Sequence, residues 1–188
     1  SIMGAWDAGT CILTLIGVSS MADYQTALGS VTYHNAAGDN PTAGMRTLAW
    51  KGTDTSGTGP ASQSTITVIA VNDRPVILGG TAFTYSENDA ATLVDPNLTL
   101  SDADSTTLQG ATVSISSNYV AAEDRLVFTN QLGISGSWDG VAGMMTLSGS
   151  ASVVDYQTAL RSVRYVNDNG DTPQSSLRQV GFSVHDGS

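Results

Sequence analysis

The chain has 188 residues, with seven Lys and Arg against seventeen Asp and Glu and a net charge of −10. That balance excludes nucleic acid and anionic membrane surfaces as partners, because phosphate binding needs clustered Lys and Arg. One cysteine rules out an intrachain disulfide and a thiolate metal cluster, and no apolar run nears the roughly 20 residues that cross a bilayer.

Taken in chain order, short alternating or β-branched runs predict strands at 12–16, 31–34, 46–51, 64–71, 81–85, 98–101, 111–116, 125–129, 144–147, 163–166 and 179–184. Gly, Asn, Asp, Ser and Thr clusters between them predict turns. Cys11 reads as a small buried filler. Ser20-x-x-Asp23 and Ser152-x-x-Asp155 each predict a short helix, with a Ser N-cap and an acid in the first turn. In the second, Tyr156, Ala159 and Leu160 fall on one stripe that can lie at a sandwich edge. Residues 134–147 predict a hairpin with Asp139-Gly140 near its bend and Trp138 as a packing anchor. Many short strands at about 8–12-residue spacing predict an all-β sandwich.

The chain also contains itself twice. Residues 1–56 align with 133–188 without a gap at an offset of 132, with 24 identical pairs. They include the hexapeptide DYQTAL (23–28 and 155–160) and the pairs Gly17/Gly149, Tyr33/Tyr165, Asn35/Asn167, Arg46/Arg178 and Asp54/Asp186. Fixed-period self-similarity marks a tandem array of modules. The expected organisation is 1–71 as the C-terminal part of one repeat and 72–75 as a connector stiffened by Pro75. Residues 76–188 then form a second repeat lacking its last strand, whose counterpart is 64–71. The resulting open edge is expected to be covered by a neighbouring copy, a rearranged strand or the 1–71 segment.

Acids concentrate near the expected module ends: Glu87, Asp102, Asp104, Asn72 with Asp73, and Asp54 and Asp186 at equivalent strand ends. Calcium takes six to eight oxygen ligands, and alternating carboxylates such as Asp102 and Asp104 can turn toward one ion. The plain alternative is that these residues only make turns. The order Tyr-x-Glu-Asn, Asp-Ala-Asp, Val-x-Asp-Gly and Val-Asn-Asp-x-Pro-Val resembles the cadherin-like repeats of giant bacterial surface adhesins and related exoproteins, and distantly those of chondroitin sulfate proteoglycans. The resemblance implies Greek-key (cadherin-like or immunoglobulin-like) sandwich modules in tandem with Ca²⁺ at their junctions. It implies that Glu87, Asp102 and Asp104 face Asn72 and Asp73, that Asp54 contributes from the preceding module, and that Asp186 serves the next junction. The first repeat departs from the pattern at 52–55, where Val-x-Asp-Gly is replaced by Gly-Thr-Asp-Thr.

Other motifs fail. Thr107 and Val113 occupy the Gly and Glu positions of an EF-hand begun at Asp102. His34 and His185 align with Val166 and Thr53, so neither belongs to a shared site, and Glu123-Asp124 has no visible partner for acid–base work. The leading expectation is therefore a non-enzymatic, adhesive extender of a secreted or cell-surface protein. Its partners are neighbouring repeats, surface or matrix polysaccharide, and edge-strand self-association. The alternative is a carbohydrate-binding module using Trp138, Tyr85 or Tyr119; a polysaccharide lyase or hydrolase domain is a more distant third.

Overall fold

A computed structural model describes residues 1–188. The chain is all-β apart from two short helices, and it divides into two compact units, residues 1–38 and 39–188.

In the first unit β1 (Met3–Asp7) and β2 (Ile12–Ile16) form an antiparallel hairpin with Trp6 opposite Leu13. Helix α1 (Met21–Gly29) follows, and its N-cap Ser20 and Asp23 form a reciprocal capping box. Nothing in α1 is buried. Cys11 is exposed rather than a core filler. Its φ of 56° matches the φ of 67° at its repeat counterpart Gly143, because both hairpin turns need a left-handed residue.

The second unit opens with β3 (Gly44–Trp50), which pairs with β6 (Ser62–Val68) around a small hairpin of β4 (Thr53–Asp54) and β5 (Gly57–Thr58). A sandwich follows. One sheet has the order β12 (Ser135–Asp139), β13 (Met144–Ser152), β10 (Thr107–Ser117), β15 (Gln179–His185). The other side is built from β11 (Asp124–Val127), β14 (Arg164–Asn167) and β8 (Thr92–Leu93), together with the pair β7 (Val76–Leu78) and β9 (Thr99–Ser101). Val113, Ile115, Met145 and Leu147 from the first sheet meet Leu100, Leu126 and Tyr165 from the second side in one core. Helix α2 (Val153–Arg161) links β13 to β14 and buries Tyr156, Ala159 and Leu160 completely. The Tyr156 hydroxyl donates to Gly149 O at 2.5 Å, as the Tyr24 hydroxyl does to Gly17 O at 2.8 Å, which accounts for the repeated Gly and DYQTAL together.

Two expected strands do not form, for identifiable reasons. Residues 31–34 form no strand, although their counterpart β14 does. β14 is held by β11 and β8, from residues 92–127, which repeat nothing in the first copy. Residues 81–85 are not a strand either. Buried Asp95 accepts hydrogen bonds from Gly80 N–H (2.7 Å) and the Thr81 hydroxyl (2.7 Å), while Tyr85 and Phe83 pack edge-on against Tyr165. β15 is the terminal strand of its sheet, with β7 near it but unpaired, and β6 pairs with β3.

Equal residues in unequal surroundings make a direct test. Leu160→Ala is expected to cost about 2–5 kcal/mol, whereas Leu28→Ala, at a site 43% exposed, costs under about 1 kcal/mol. Urea titration of both variants measures the difference.

Candidate functional site

The connector and the loop before β10 are tied together by backbone geometry. Asp102 Oδ1 accepts from the N–H groups of Asp104 (3.2 Å) and Ser105 (2.8 Å), which bends the chain back. Asp104 Oδ2 then accepts from Asp73 N–H at 3.1 Å. Asn72 Nδ2 donates to Asp186 Oδ2 at 2.7 Å, and this bond, followed by Ser188 N–H, holds the Asp186 carboxyl below its usual range. Four residues expected here, Asn72, Asp73, Asp102 and Asp104, are thus joined at one end of the sandwich, together with Asp186, which was expected at the next junction and instead binds Asn72.

Asp102 Oδ2 and Asp104 Oδ1 are buried there with no donor. Buried carboxylate oxygens without partners are costly, because water is lost and nothing replaces it. A shallow hollow of about 330 Å³ lies alongside, lined by Asp73, Asp102, Arg74 and by Asp39, which the sequence reading passed over. No three carboxylates, imidazoles or thiols come close enough together to hold an ion by themselves.

Glu87 and Asp54 are not brought to this group. Glu87 is exposed in a loop whose Asn88 Nδ2 donates to Asp171 at 3.1 Å, beyond the end of β14. That is the opposite end of the sandwich, separated by the eleven residues of β10, roughly 36 Å of strand. Asp54 caps its own turn, accepting from Ser56 N–H at 2.7 Å.

That opposite end carries a network the sequence reading missed. Arg178 Nε lies 3.2 Å from Asp124 Oδ2, and its Nη2 lies 3.5 Å from Glu123 Oε2. The Tyr165 hydroxyl donates to Asp124 Oδ1 at 2.6 Å, Gln174 N–H to Glu123 Oε2 at 3.0 Å, and Asn169 Nδ2 to Glu123 Oε1 at 3.0 Å. Arg178 also donates to the carbonyls of Gln174 and Ser176. The Gln174 amide, outweighing burial and aided by Asn169, Asn167 and Arg178, holds the Glu123 carboxyl low. Burial, and then donation to Asp124, push the Tyr165 phenol up to about 12. The network clamps residues 169–178 to β11 and β14, although Arg178 Nη2 itself has no hydrogen-bond partner. The available signal was the repetition of Tyr165, Asn167 and Arg178 as Tyr33, Asn35 and Arg46.

The aromatic candidates for sugar stacking are committed to packing. Trp138 is half-buried, edge-to-face with Tyr119 at 6.2 Å and 77°. The Tyr119 hydroxyl donates to Gly140 O, and that of Tyr85 to Asp89 O. The larger surface depression, about 690 Å³ around Phe83 and Ala90, carries only Asp89 and Arg164 as charged groups. Both are engaged with backbone, at Ser86 N–H and Ala91 O.

Fold and site together define a β-sandwich with an acidic end built from residues 72–73, 102–104 and 186. Over 108 residues, 55% of this chain, the sequence is 34% identical to Halomucin of Haloquadratum walsbyi (strain DSM 16790 / HBSQ001). The aligned stretch is 1% of that protein, so the chain spans a very small part of the relative it matches. No family model matches the chain, and no solved structure does.

Two outcomes follow from the buried network. Arg178→Ala strands two buried carboxylates and is expected to cost about 3–5 kcal/mol, whereas Arg46→Ala, which loses a bond to Thr42 O, costs under about 1 kcal/mol; chemical denaturation reads both. Because Tyr165 titrates higher folded than unfolded, its contribution is complete below about pH 10 and is lost as pH rises toward 12. Burial shifts Tyr156 and Tyr119 the same way, so Tyr165→Phe should shrink this alkaline loss of stability, measured by urea titration from pH 9 to 12, rather than abolish it.

Proposed function

We propose that the chain is an extender module of a long, secreted or surface-anchored adhesive protein, with no catalytic role, in which Ca²⁺ stiffens the seam between repeats. The observation that carries this reading is the pair of donor-less buried oxygens, Asp102 Oδ2 and Asp104 Oδ1, beside the connector. A hard cation is the partner such oxygens lack: it neutralises two adjacent carboxylates and accepts carbonyl and water oxygens as its remaining ligands. Asn72 and Asp73 would gain rigidity from it, since both are already tied to this end of the sandwich.

Three further features support the reading. The 132-residue internal repeat is the pattern of a module strung in series. The matched relative is roughly a hundred times longer than the aligned stretch, which fits a unit of a very long chain. A net charge of −10 keeps such a string soluble and self-repelling, and the same repulsion makes a cation at the seams effective.

Thermal melting in millimolar Ca²⁺ against chelator tests the proposal. Binding at many times Kd stabilises by a few kcal/mol, so the midpoint of the second unit should rise by several degrees. The paired substitution Asp102→Asn with Asp104→Asn should remove that response. An identical midpoint with and without the ion would overturn the reading.

A further inference from the structure

Asn97-Leu98-Thr99 has the Asn-x-Ser/Thr pattern whose asparagine accepts an N-linked sugar. Of the nine asparagines, only Asn40 is also followed by Ser or Thr two places on, and there Pro41 fills the middle position, which the pattern excludes. A triplet this short recurs by chance, and what sets this one apart is its place in the fold.

Asn97 stands in the turn between β8 and β9. Buried Asp95 closes that turn, its Oδ1 accepting from Asn97 N–H at 3.2 Å. Leu98 is wholly buried. Side chains alternate along extended chain, so burying Leu98 turns Asn97 and Thr99 outward together, and both are exposed. The Asn97 side chain is bonded to nothing in the protein; its backbone alone is held. The amides of Asn72, Asn88, Asn118 and Asn169, by contrast, donate to Asp186, Asp171, Leu177 O and Glu123. The Thr99 hydroxyl has only a long contact of 3.5 Å to Leu78 O. An amide to be modified and a hydroxyl to be recognised thus lie free, two residues apart, on one face.

The surroundings leave room for a sugar. Asn97 borders the depression of about 690 Å³ around Phe83 and Ala90. Exposed Phe83 lines that depression, and exposed Leu78 pairs with Thr99. A bulky hydrated chain there shields apolar surface that repeats in a long string would otherwise present to one another. β9 runs on to Ser101, which pairs with Val76 beside the connector. A sugar on Asn97 therefore projects from the flank of the sandwich and leaves the Asp102–Asp104 end open.

We infer that Asn97 is an N-glycosylation site, modified from a lipid-linked sugar. Asn97 Nδ2 attacks the anomeric carbon of a sugar carried on a polyisoprenyl phosphate or diphosphate. The C–N bond forms as the C–O bond to phosphate breaks; the lipid phosphate leaves with the bonding electrons, and one amide proton passes to a base of the transferase. Such transfer takes place on chains leaving the cytoplasm, so the site rests on the secreted or surface location proposed above and not on calcium.

Mass spectrometry of the chain recovered from the surface or medium of the cells that make it reads the site directly. A glycan mass is expected on the peptide holding Asn97, placed on that residue by fragmentation. Asn97→Gln and Thr99→Ala, made in the same cells, are expected to lose it, and Thr99→Ser to keep it. Both positions are exposed, so circular dichroism should show the fold retained in all three. An unmodified Asn97 in surface chain, or the same mass surviving Asn97→Gln, would overturn the site and leave the extender reading standing. Recovery of the chain from the cytoplasm alone would overturn location and site together.

Discussion

The second repeat depends on a helix that cannot bury itself. Local terms form α1 and α2 alike: a serine N-cap, an aspartate at N3, and a tyrosine hydroxyl returned to a glycine carbonyl seven residues earlier. These contacts are nearly identical in the two repeats, yet one helix has no buried residue and the other has three. The difference comes from β9 and β10, residues distant in sequence, which lie against α2 with β13. Leu100 N–H donates to the Gln157 side chain, and Arg161 Nε to Leu98 O, fixing the helix across the sandwich. Most helical stability in proteins comes from such packing rather than from propensity. The duplicated sequence shows this within one chain.

The same division explains what could be read from the residues alone. The S-x-x-D helix starts, the Asp139-Gly140 bend and most strands are set by local chemistry, and they appear as expected. Residues 31–34 and 163–166 share Val and Tyr at equivalent positions, but only the second set has β11 and β8 to pair with. Cys11 shows the limit in the other direction. Its composition suggests burial, whereas its place in a tight turn demands a left-handed backbone and exposure. The Glu123–Asp124 pair has no partner visible in the sequence because Tyr165, Asn167 and Arg178 are 41 to 55 residues away and nothing in the spacing joins them.

The candidate site divides along similar lines. Asp102 and Asp104 are two residues apart, so their turn and its proximity to β10 follow from local geometry. Asn72 and Asp186 meet across 114 residues, a contact that neither composition nor the resemblance to cadherin-like repeats suggested, since the latter assigned Asp186 to the next junction. Glu87 is the instructive exception. The strand expected at 81–85 does not form; Asp95 instead accepts from Gly80 N–H and the Thr81 hydroxyl, and Glu87 lies in an exposed loop. Burial works against the charged form of Asp95, yet the hydrogen bonds from Gly80, Thr81 and Asn97 outweigh it and hold its pKa low.

The two ends of the sandwich treat buried charge in opposite ways. At the end where β14 finishes, Glu123 and Asp124 are met by Arg178, two amides and a phenol, so the loop there is fixed by contacts internal to the module. At the connector end, Asp102 and Asp104 spend one oxygen each on backbone N–H groups and leave the other without a donor. A module whose buried carboxylates are met by its own donors at one end and only half met at the other is asymmetric along its length. In the head-to-tail string proposed above, that asymmetry would give an external cation one place per repeat, beside Asp102 and Asp104, and leave the remaining acids of a −10 surface to solvent.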